Sequence, residues 1–591
     1  MTTTLGHALI NSVLPKEHQI SGPVTKKDLR KSLVAYARTD PTGYARDIPK
    51  LKAIGDEVAT YEGLSVGLDD ISPMYKERAP IMADARARIK GAKTDKDVTS
   101  ALVDTQNKLL DMTRSHPGDL GIMARSGGRG DMSQLMKTVS SPGVIGDYHG
   151  KAIPYLIERG YGEGLSPAEA WIAGAESRGQ VIRGQLETAD PGELGKLMST
   201  MMSGQVIAAA DCGTKNGIMM SPTDSSILGR YVAGTNTLIN SREQSELIKK
   251  GGQVKVHSPM TCELPQGMCQ KCRGVEPNGK LPEIGTNVGI KSGQALAEPI
   301  TQMTLSAKHG ASLVEGADES IPVGVKAVRQ FLEVPTSFMS KATLAKGSGT
   351  VSKVEKAPQG GHNITIGEFT HYVPPTRKVS VEKGDDVEAG DTLSSGVPNP
   401  AEIVAHKGLG AGRMYLVNSF SKVYEDAGKG IDKRHLETLA KSQLNYVKLR
   451  NGFGDFLPGE VVPYNQFAGI LKDSAENVSL SKAHGRILAE PTLQHLPGTR
   501  ISKSMMSDFK QAGINTLGVT DKDIEADAVM TSASRTPLLN PNWMERLSHR
   551  YQKNTLLDAA QYGEKSDLHG YNPYSAIAFG KELRKGPGGT Y

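Results

Sequence analysis

The four cysteines of this 591-residue chain are spaced as ligands of a single metal ion would be. Cys212 stands alone, whereas Cys262, Cys269 and Cys272 fall within CELPQGMCQKC, a C-x6-C-x2-C pattern. A C-x2-C pair lets two thiolates bind one tetrahedral zinc, and two more cysteines complete a closed structural site without an open catalytic position. Two other interpretations stay open. The cysteines can be unrelated core residues, or the C-x2-C pair can be a redox pair.

Length and composition bound what surrounds this cluster. The chain is long enough for roughly three to five domains. Its 70 basic and 64 acidic residues give a net charge of +6, which permits nucleic-acid contact but does not argue for it. Four cysteines are too few for a disulfide framework, so we expect a reducing compartment. No apolar run approaches the roughly 18 residues of a membrane helix, and residues 1–14 lack a secretory leader pattern.

The elements that must position the cysteines are mixed. Apolar residues recur at helical spacing over 72–112, and helices are expected again over 408–449. Residues 350–406 alternate valine with polar residues and place glycine at turns, which predicts a β-rich module. The tail, 560–591, is rich in glycine. No internal repeat is evident.

A long helix is predicted to begin at residue 166. Ser166 can cap it, Pro167 suits the first helical position, and Glu169 can close a capping box. The helical pattern continues to about Met202. Pro191 cannot donate a backbone hydrogen bond, so we expect a kink there.

Several motifs, in one colinear order, resemble the largest subunit (β′) of multisubunit DNA-dependent RNA polymerases. Asp211-Cys212-Gly213-Thr214 and GMCQKCRG are similar to the segments that donate zinc cysteines in that family. VGIKSGQALAEPITQMTLSAKHGAS (288–312) is similar to its trigger-loop region. Further segments with such similarity are TKKDL (25–29), GLSVGLDDI (63–71), RSGGRGDMSQ (125–134), ETADPGELGKL (187–197), GVPNP (396–400), YLVNSFSKVYEDAGKGIDKRHLE (415–437), DFLPGE (455–460) and GEKSDLHGYNPYSAIAFG (563–580).

The resemblance implies a mixed α/β, multidomain and helix-rich fold, the carboxy-terminal half of β′. The expected domains are funnel and secondary-channel helices (1–120), an Arg-Gly loop region near the nucleotide (121–165), the bridge helix (166–208), a zinc-binding region (209–284), the trigger loop with flanking helices (285–335), a β-rich, barrel-like and jaw-like module (336–407), and carboxy-terminal helices with a clamp or switch segment (408–591).

The resemblance also implies the residues that meet the substrate. The trigger-loop candidates are Gln302, Thr304, Leu305, Lys308 and His309. Leu305 should pack on the incoming base, His309 should approach the β-phosphate, and Gln302 should meet the ribose hydroxyls. Each of these types is more often a plain core or surface residue, and only the motif favours the catalytic role.

Two further sets complete the expected site. Arg129, in Gly-Gly-Arg-Gly, should bind the triphosphate, because guanidinium matches phosphate oxygens and glycine permits close approach. The bridge-helix candidates facing the template are Thr188, Ala189, Pro191, Gly192 and Lys196. Ser306 stands where bacterial trigger loops usually have arginine, and we hypothesise that Lys308 supplies the missing positive charge.

The implied activity is that of a nucleotidyltransferase, a DNA-directed RNA polymerase that works only as a multisubunit complex. The family's metal-binding loop, Asn-Ala-Asp-Phe-Asp-Gly-Asp, occurs nowhere in the 591 residues. We therefore expect a split subunit with structural zinc here and catalytic Mg²⁺ on a partner chain, the amino-terminal half of β′. The other expected partners are β-like subunits, DNA template, RNA transcript, nucleoside triphosphates and an initiation factor, with no membrane.

Split subunits of this kind occur in cyanobacteria, in plastids and in phiKZ-like jumbo bacteriophages. The compact length and divergent motifs favour a phage enzyme, located in the cytoplasm of the infected bacterium, in a phage replication compartment or in the virion. The alternative function is a non-catalytic, zinc-containing nucleic-acid-binding or scaffold protein derived from a polymerase subunit, in which the trigger-loop residues are dispensable.

Overall fold

The fold is helix-rich with several small sheets, which confirms the mixed α/β, multidomain prediction. The computed structural model describes residues 4–22, 24–147, 152–185, 189–235, 237–264, 266–307, 324–335, 337–452, 456–493, 495–521, 526–540, 542–547, 551–565, 577 and 580. It divides into two compact units: Met1–Thr188 with Thr304–Glu319, and Ala189–Met303 with Ser320–Tyr591.

The first unit is built from helices. They are α1 (Leu5–Val13), α2 (Lys26–Thr39), α3 (Pro41–Tyr61), α4 (Tyr75–Gly91), α5 (Asp95–Thr113), α6 (Gly118–Ser126), α7 (Met132–Val139) and α8 (Pro167–Gln185). Thr25 and Thr94 start α2 and α5 with capping boxes, which satisfy backbone amides that a helix start leaves unpaired. Met82, Leu109 and Met136 form a small core among α4, α5 and α7.

The predicted start of the helix at 166 is confirmed. The backbone amide of Ser166 donates to Glu169 Oε2 at 2.8 Å, and the amide of Glu169 donates to Ser166 Oγ at 3.4 Å. The Glu169 carboxylate also accepts from the amide of Glu158 at 2.9 Å. One carboxylate therefore fixes both the start of α8 and the segment before it.

The second unit combines helices and strands. Its helices are α9 (Ala189–Met201), α10 (Ser241–Lys250), α11 (Gln270–Arg273), α12 (Val288–Ala307), α13 (Gly324–Glu333), α14 (Pro400–Asp426), α15 (Lys433–Gln443), α16 (Tyr464–Lys472), α17 (Lys503–Gln511), α18 (Trp543–Arg546) and α19 (Gln552–Tyr562). Its strands are β1 (Ile207–Ala209), β2 (Ile218–Met220), β3 (Val254–Val256), β4 (Met268–Cys269), β5 (Gly349–Lys356), β6 (His362–Ile366), β7 (Phe369–Val373), β8 (Asp386–Val387), β9 (Tyr446–Leu449), β10 (Val461–Pro463), β11 (Glu476–Ser479), β12 (Ile487–Leu488), β13 (Thr516–Thr520) and β14 (Ala526–Val529).

The strands form separate small sheets. Their orders are β7-β6-β5-β8, β11-β13-β12 and β10-β9-β14, with the pairs β2-β3 and β1-β4. The main core lies among α9 and α12–α15 and includes Leu194, Leu296, Phe331, Phe420 and Leu439. Among the described residues, no helix is long and apolar enough to cross a membrane.

Pro191 lies in the first turn of α9, where a missing amide removes no intrahelical hydrogen bond. It is buried. The predicted kink at Pro191 concerns the connection of α9 to the preceding residues, and 186–188 lie outside the described residues, so it stays a prediction.

Two segments of the second unit share an order of elements, although no repeat is evident in the sequence. Residues 218–256 (module A) and 476–520 (module B) run through the same succession of elements: strand, 3-10 turn, Gly-Arg, helix and strand. Their sheets match in register, because β2 pairs antiparallel with β3 as β11 pairs with β13.

The backbone hydrogen bonds of the two modules correspond one by one. In module A the amide of Gly229 donates to Ile239 O at 2.9 Å, and in module B the amide of Gly485 donates to Ile501 O at 2.9 Å. The return bonds also match. The amide of Ile239 donates to Arg230 O at 2.8 Å, and the amide of Ile501 donates to Arg486 O at 2.9 Å.

The apolar positions of the two modules correspond as well. In module A they are Met220, Ile227, Val232, Ile239, Leu247, Val254 and Val256, and in module B they are Val478, Ala483, Leu488, Ile501, Phe509, Leu517 and Val519. Module A merges with the main core. Most apolar side chains of module B form a cluster of their own, on which Met219 of module A packs, while Ala489 and Leu496 of module B belong to the main core. The repeat escapes sequence inspection because the two copies share a pattern of burial and few residue identities.

Candidate functional site

The four cysteines meet at one point. Their sulfur atoms all lie within 4.8 Å of one another, and Cys212 Sγ is 3.7 Å from Cys272 Sγ. Cys262, Cys269 and Cys272 are buried and Cys212 is half-buried. The backbone amides of Cys269 and Cys272 donate to the sulfurs of Cys262 and Cys269 at 3.4 and 3.3 Å. The cluster could hold one metal ion.

The four thiols do not ionise independently. Hydrogen bonding with the Cys212 thiol lowers the pKa of Cys262 well below its usual range. Hydrogen bonding with the same thiol raises the pKa of Cys269 and of Cys272. The pKa of Cys212 is also lowered, because hydrogen bonding with Cys262, which raises it, is outweighed by hydrogen bonding with Cys269 and Cys272. Ionisation is thus favoured at two thiols and opposed at the other two, so four thiolates together call for a cation among them.

The parts of the chain predicted as bridge helix and trigger-loop helix touch directly within the second unit. Glycines let α9 and α12 approach closely: a Cβ at Gly195 would lie 2.8 Å from Ala297 Cβ, and one at Gly293 would lie 2.6 Å from Ser199 Oγ. A Cβ at Gly289 would overlap the carbonyl oxygen that follows α9. Close helix contact of this kind requires small residues.

Sequence reasoning missed these contact residues. The signal was present, since Gly289, Gly293 and Ala297 recur every four residues and therefore share one face of α12.

One face of α9 is open to solvent. Ala189, Gly192 and Lys196, three of the predicted template contacts, are exposed and share that face at spacings of three and four residues. Nothing lies within 4 Å of a Cβ placed on Gly192. Pro191 lies on the opposite, buried face and is a packing residue here. Thr188 lies outside the described residues.

Gln302 is exposed on α12. Its amide nitrogen donates to Glu298 Oε1 at 3.1 Å, and its amide oxygen accepts from Lys429 Nζ at 2.7 Å. Thr304 and Leu305 belong to the last turns of α12, but their side chains are not described. Lys308 and His309 lie outside the described residues.

Arg129 belongs to the first unit. It is exposed in the loop between α6 and α7. Gly127 and Gly130 on either side have φ of 71° and 70°, left-handed conformations that glycine adopts without strain.

Module A contacts α15 through a buried ion pair, which was not predicted from the sequence. Arg230 and Glu437 are each 1% exposed, and their side chains form two hydrogen bonds of 2.9 and 2.6 Å. Ser258 Oγ donates to the same carboxylate at 2.6 Å. The partners stand 207 residues apart, so no local pattern could pair them.

Comparisons with known proteins show which proteins this chain is similar to. Residues 164–455 match the family RNA polymerase Rpb1, domain 5. The chain is 27% identical to DNA-directed RNA polymerase subunit β′ of Moorella thermoacetica, over 78% of this chain and 44% of the relative. It is 28% identical to that subunit from Tropheryma whipplei, over 80% and 40%. With the Symbiobacterium thermophilum subunit it shares 26% identity, over 99% and 50%.

The similarities all point to one class of protein, subunits of RNA polymerase. Within that class, the full-length relatives to which this chain is similar are β′ subunits. It spans half or less of the length of these curated relatives.

Proposed function

We propose that this chain supplies the bridge helix and the trigger loop of a DNA-directed RNA polymerase, and that it is active only in complex with other chains. The observation that carries the proposal is the close, glycine-mediated contact of α9 with α12. It links a helix with an exposed, small-residue face to the helix that leads directly into residues 304–309.

The proposed reaction is template-directed nucleotide addition. The RNA 3′ hydroxyl attacks the α-phosphate of a nucleoside triphosphate, a new phosphodiester bond forms, and pyrophosphate leaves. Magnesium bound by another chain would stabilise the attacking and leaving oxygens. On this chain, Leu305 would pack on the base, His309 would stabilise charge at the β-phosphate, and Lys308 would add positive charge.

The side chains proposed for the remaining contacts with nucleotide and template are exposed in the structure. Gln302 is on the surface of α12 and would exchange its bond with Lys429 for the ribose hydroxyls. Arg129 would bind the triphosphate, while Ala189 and Gly192 would leave room for the template base pair.

We propose that the cysteine cluster binds structural zinc. A tetrahedral site with Zn–S bonds of about 2.3 Å places its sulfurs about 3.8 Å apart, and Cys212 and Cys272 are 3.7 Å apart. All four positions would be filled by this chain, so the ion would stabilise the fold and take no part in catalysis.

Reconstitution tests the catalytic proposal. The chain is mixed with the partner chains that carry the aspartate loop and the β-like portion, and RNA synthesis is measured on a primed template. We expect His309→Ala to slow addition by about 10²-fold or more, and Leu305→Ala to reduce both rate and selectivity for the paired nucleotide. Met339→Ala, which truncates an exposed apolar side chain in the second unit, is the control. Near-normal elongation by both trigger-loop variants would instead support a non-catalytic scaffold.

The proposal includes a split organisation of the phiKZ-like type, acting in an infected bacterium or in the virion. Native mass spectrometry of the complex purified from its source tests it. The expected result is a separate polypeptide bearing the aspartate loop, and one continuous β′ chain would reject the split.

A further inference from the structure

The 3-10 turn of module A, Ser225–Ile227, attaches the module to α15. We call this turn, with the residues up to the Gly-Arg pair that follows it, the edge of the module. Ser226 Oγ accepts from the backbone amide of Lys433 at 3.2 Å, and Lys433 Nζ is 2.6 Å from Asp224 Oδ2. Arg230 completes the contact through Glu437. In this copy, the turn and the following arginine serve to attach the module to α15.

The corresponding edge of module B begins with the 3-10 turn Leu480–Lys482, and its arginine makes a different contact. Arg486, the counterpart of Arg230, instead bonds the two ends of its own module: it lies 2.6 Å from Asp521 and 2.9 Å from Glu476. Arg486 therefore joins the two ends of module B, and residues 481 and 482 of the 3-10 turn are exposed.

The exposed edge of module B carries basic side chains. Matching backbone hydrogen bonds place Lys482, His484 and Arg500 at the positions of Ser226, Leu228 and Leu238 in module A. All three basic side chains are exposed, whereas their counterparts are buried or half-buried. Arg500 Nη1 donates to Gly485 O at 2.7 Å, which holds the guanidinium beside the turn.

Most carboxylates near this edge already have partners. Glu476 and Asp521 are engaged by Arg486, and Asp508 accepts from His495 Nε2 at 3.1 Å. Glu388, which approaches module B from outside, accepts from the backbone amide and the hydroxyl of Ser504 at 2.9 and 2.5 Å. Glu490 is half-buried against Gly518.

The chemistry of the edge favours phosphate over a protein surface. Within the described part of 476–521, no large apolar side chain is among the exposed ones. A protein interface needs such an apolar anchor at its centre, whereas nucleic-acid backbone binding needs cations alone.

We propose that Lys482, His484 and Arg500 form a second nucleic-acid contact, which binds the phosphates of duplex DNA. The proposal rests on the polymerase function above, because such a chain works on DNA. Contacts to phosphate position a duplex without reading its sequence, so this edge would hold DNA of any sequence.

The salt dependence of DNA binding tests the edge. The full chain, in its reconstituted complex, is titrated with a fluorescent DNA duplex at several salt concentrations. For Lys482→Gln with Arg500→Gln, we expect the slope of log K against log salt to shrink by about two, since each phosphate contact contributes about 0.9. The matched control replaces two exposed lysines outside module B, Lys356→Gln with Lys383→Gln, and should keep the wild-type slope.

The outcomes separate this proposal from the polymerase function. A smaller slope in the edge variant alone, with RNA synthesis on a short template retained, supports the second contact. Equal slopes in both double variants, or loss of a partner chain from the edge variant without a change of slope, would overturn it while leaving the catalytic proposal intact. If wild-type complexes synthesise RNA but their binding does not depend on salt, the edge proposal also fails.

Discussion

At the scale of single residues, the cysteine cluster and the buried polar side chains set the stability of the second unit. The surroundings lower the pKa of Cys212 and Cys262 and raise the pKa of Cys269 and Cys272. Ionising all four thiols therefore calls for a cation, and that cation and the four thiolates would be gained or lost together. Arg230 and Glu437 depend on each other in the same way, because either one alone would be a buried unpaired charge.

We predict that Cys269→Ser abolishes stoichiometric zinc. A serine hydroxyl is a poor replacement for a buried thiolate ligand. Among the remaining three thiols, hydrogen bonding with Cys212 and Cys262 still raises the pKa of Cys272. The measurement is metal content per chain after purification, expected to fall from about one to near zero. Lys271→Gln, which changes a neighbouring ion pair with Asp211 and no ligand, should keep the metal. Full zinc in Cys269→Ser would remove the cluster from the metal-site assignment.

His435 gives the second unit a defined pH dependence. Burial, with Arg273 nearby, lowers the pKa of His435 to about 3. Arg273 Nη2 lies 3.2 Å from its Nδ1, a contact that favours the neutral ring. Between pH 6.5 and about 3 the unfolded chain binds a proton that the folded chain refuses. The contribution to stability is therefore complete above pH 6.5 and is lost as pH falls.

We predict that His435→Gln flattens this acid sensitivity. Between pH 6.5 and 5 the wild-type free energy of unfolding should fall faster than that of the variant, by up to about 1.4 kcal/mol per pH unit. Urea unfolding at a series of pH values measures the difference, and the cysteine cluster is the same in both proteins. Parallel curves for the two proteins would show that the pKa of His435 is the same in the folded and unfolded chains, against this prediction.

At the scale of elements, the contact of α9 with α12 is the most demanding piece of packing in the candidate site. We predict that Gly293→Ala destabilises it by about 1–3 kcal/mol, because the new methyl group would lie 2.6 Å from Ser199 Oγ and 2.8 Å from Ser199 Cα. Gly469→Ala in α16 is the matched control, since nothing lies within 4 Å of its Cβ and alanine favours a helix. Unfolding midpoints compare the two, and equal midpoints would mean that α9 and α12 are not in close contact.

What could be read from the sequence was local. Ser166 and Glu169 announced a helix start, because a cap and its return bond stand three residues apart. The three cysteines within 262–272 likewise predicted a set of metal ligands, because they stand close together in the sequence. The pairing of Arg230 with Glu437 and the duplication of module A depend on tertiary contact and backbone hydrogen bonding, which leave no mark at short spacing.

At the scale of the whole molecule, the two modules are built into the chain in opposite ways. Module A is flanked by Cys212 and Cys262, and its apolar side chains belong to the main core. In module B, Arg486 joins the two ends of the module, and most apolar side chains form a cluster apart from the main core, to which only Ala489 and Leu496 belong. Beside those ends, Ser474 Oγ and Thr520 Oγ1 are 3.1 Å apart, so the chain leaves module B almost where it enters.

This difference predicts which module the fold can lose. Replacing 476–519 by a short glycine linker should leave zinc content unchanged and lower the unfolding midpoint less than removal of module A does. The reason is that module B adds only Ala489 and Leu496 to the main core, and most of its apolar side chains form their own cluster. The equivalent removal of 218–256 should abolish folding, because it opens the main core and leaves Glu437 buried without Arg230. Metal analysis and urea unfolding of both deletions measure this. Loss of zinc or of cooperative unfolding in the 476–519 deletion would show that module B is an integral part of the core, and the independence argued from its separate apolar cluster would then be wrong.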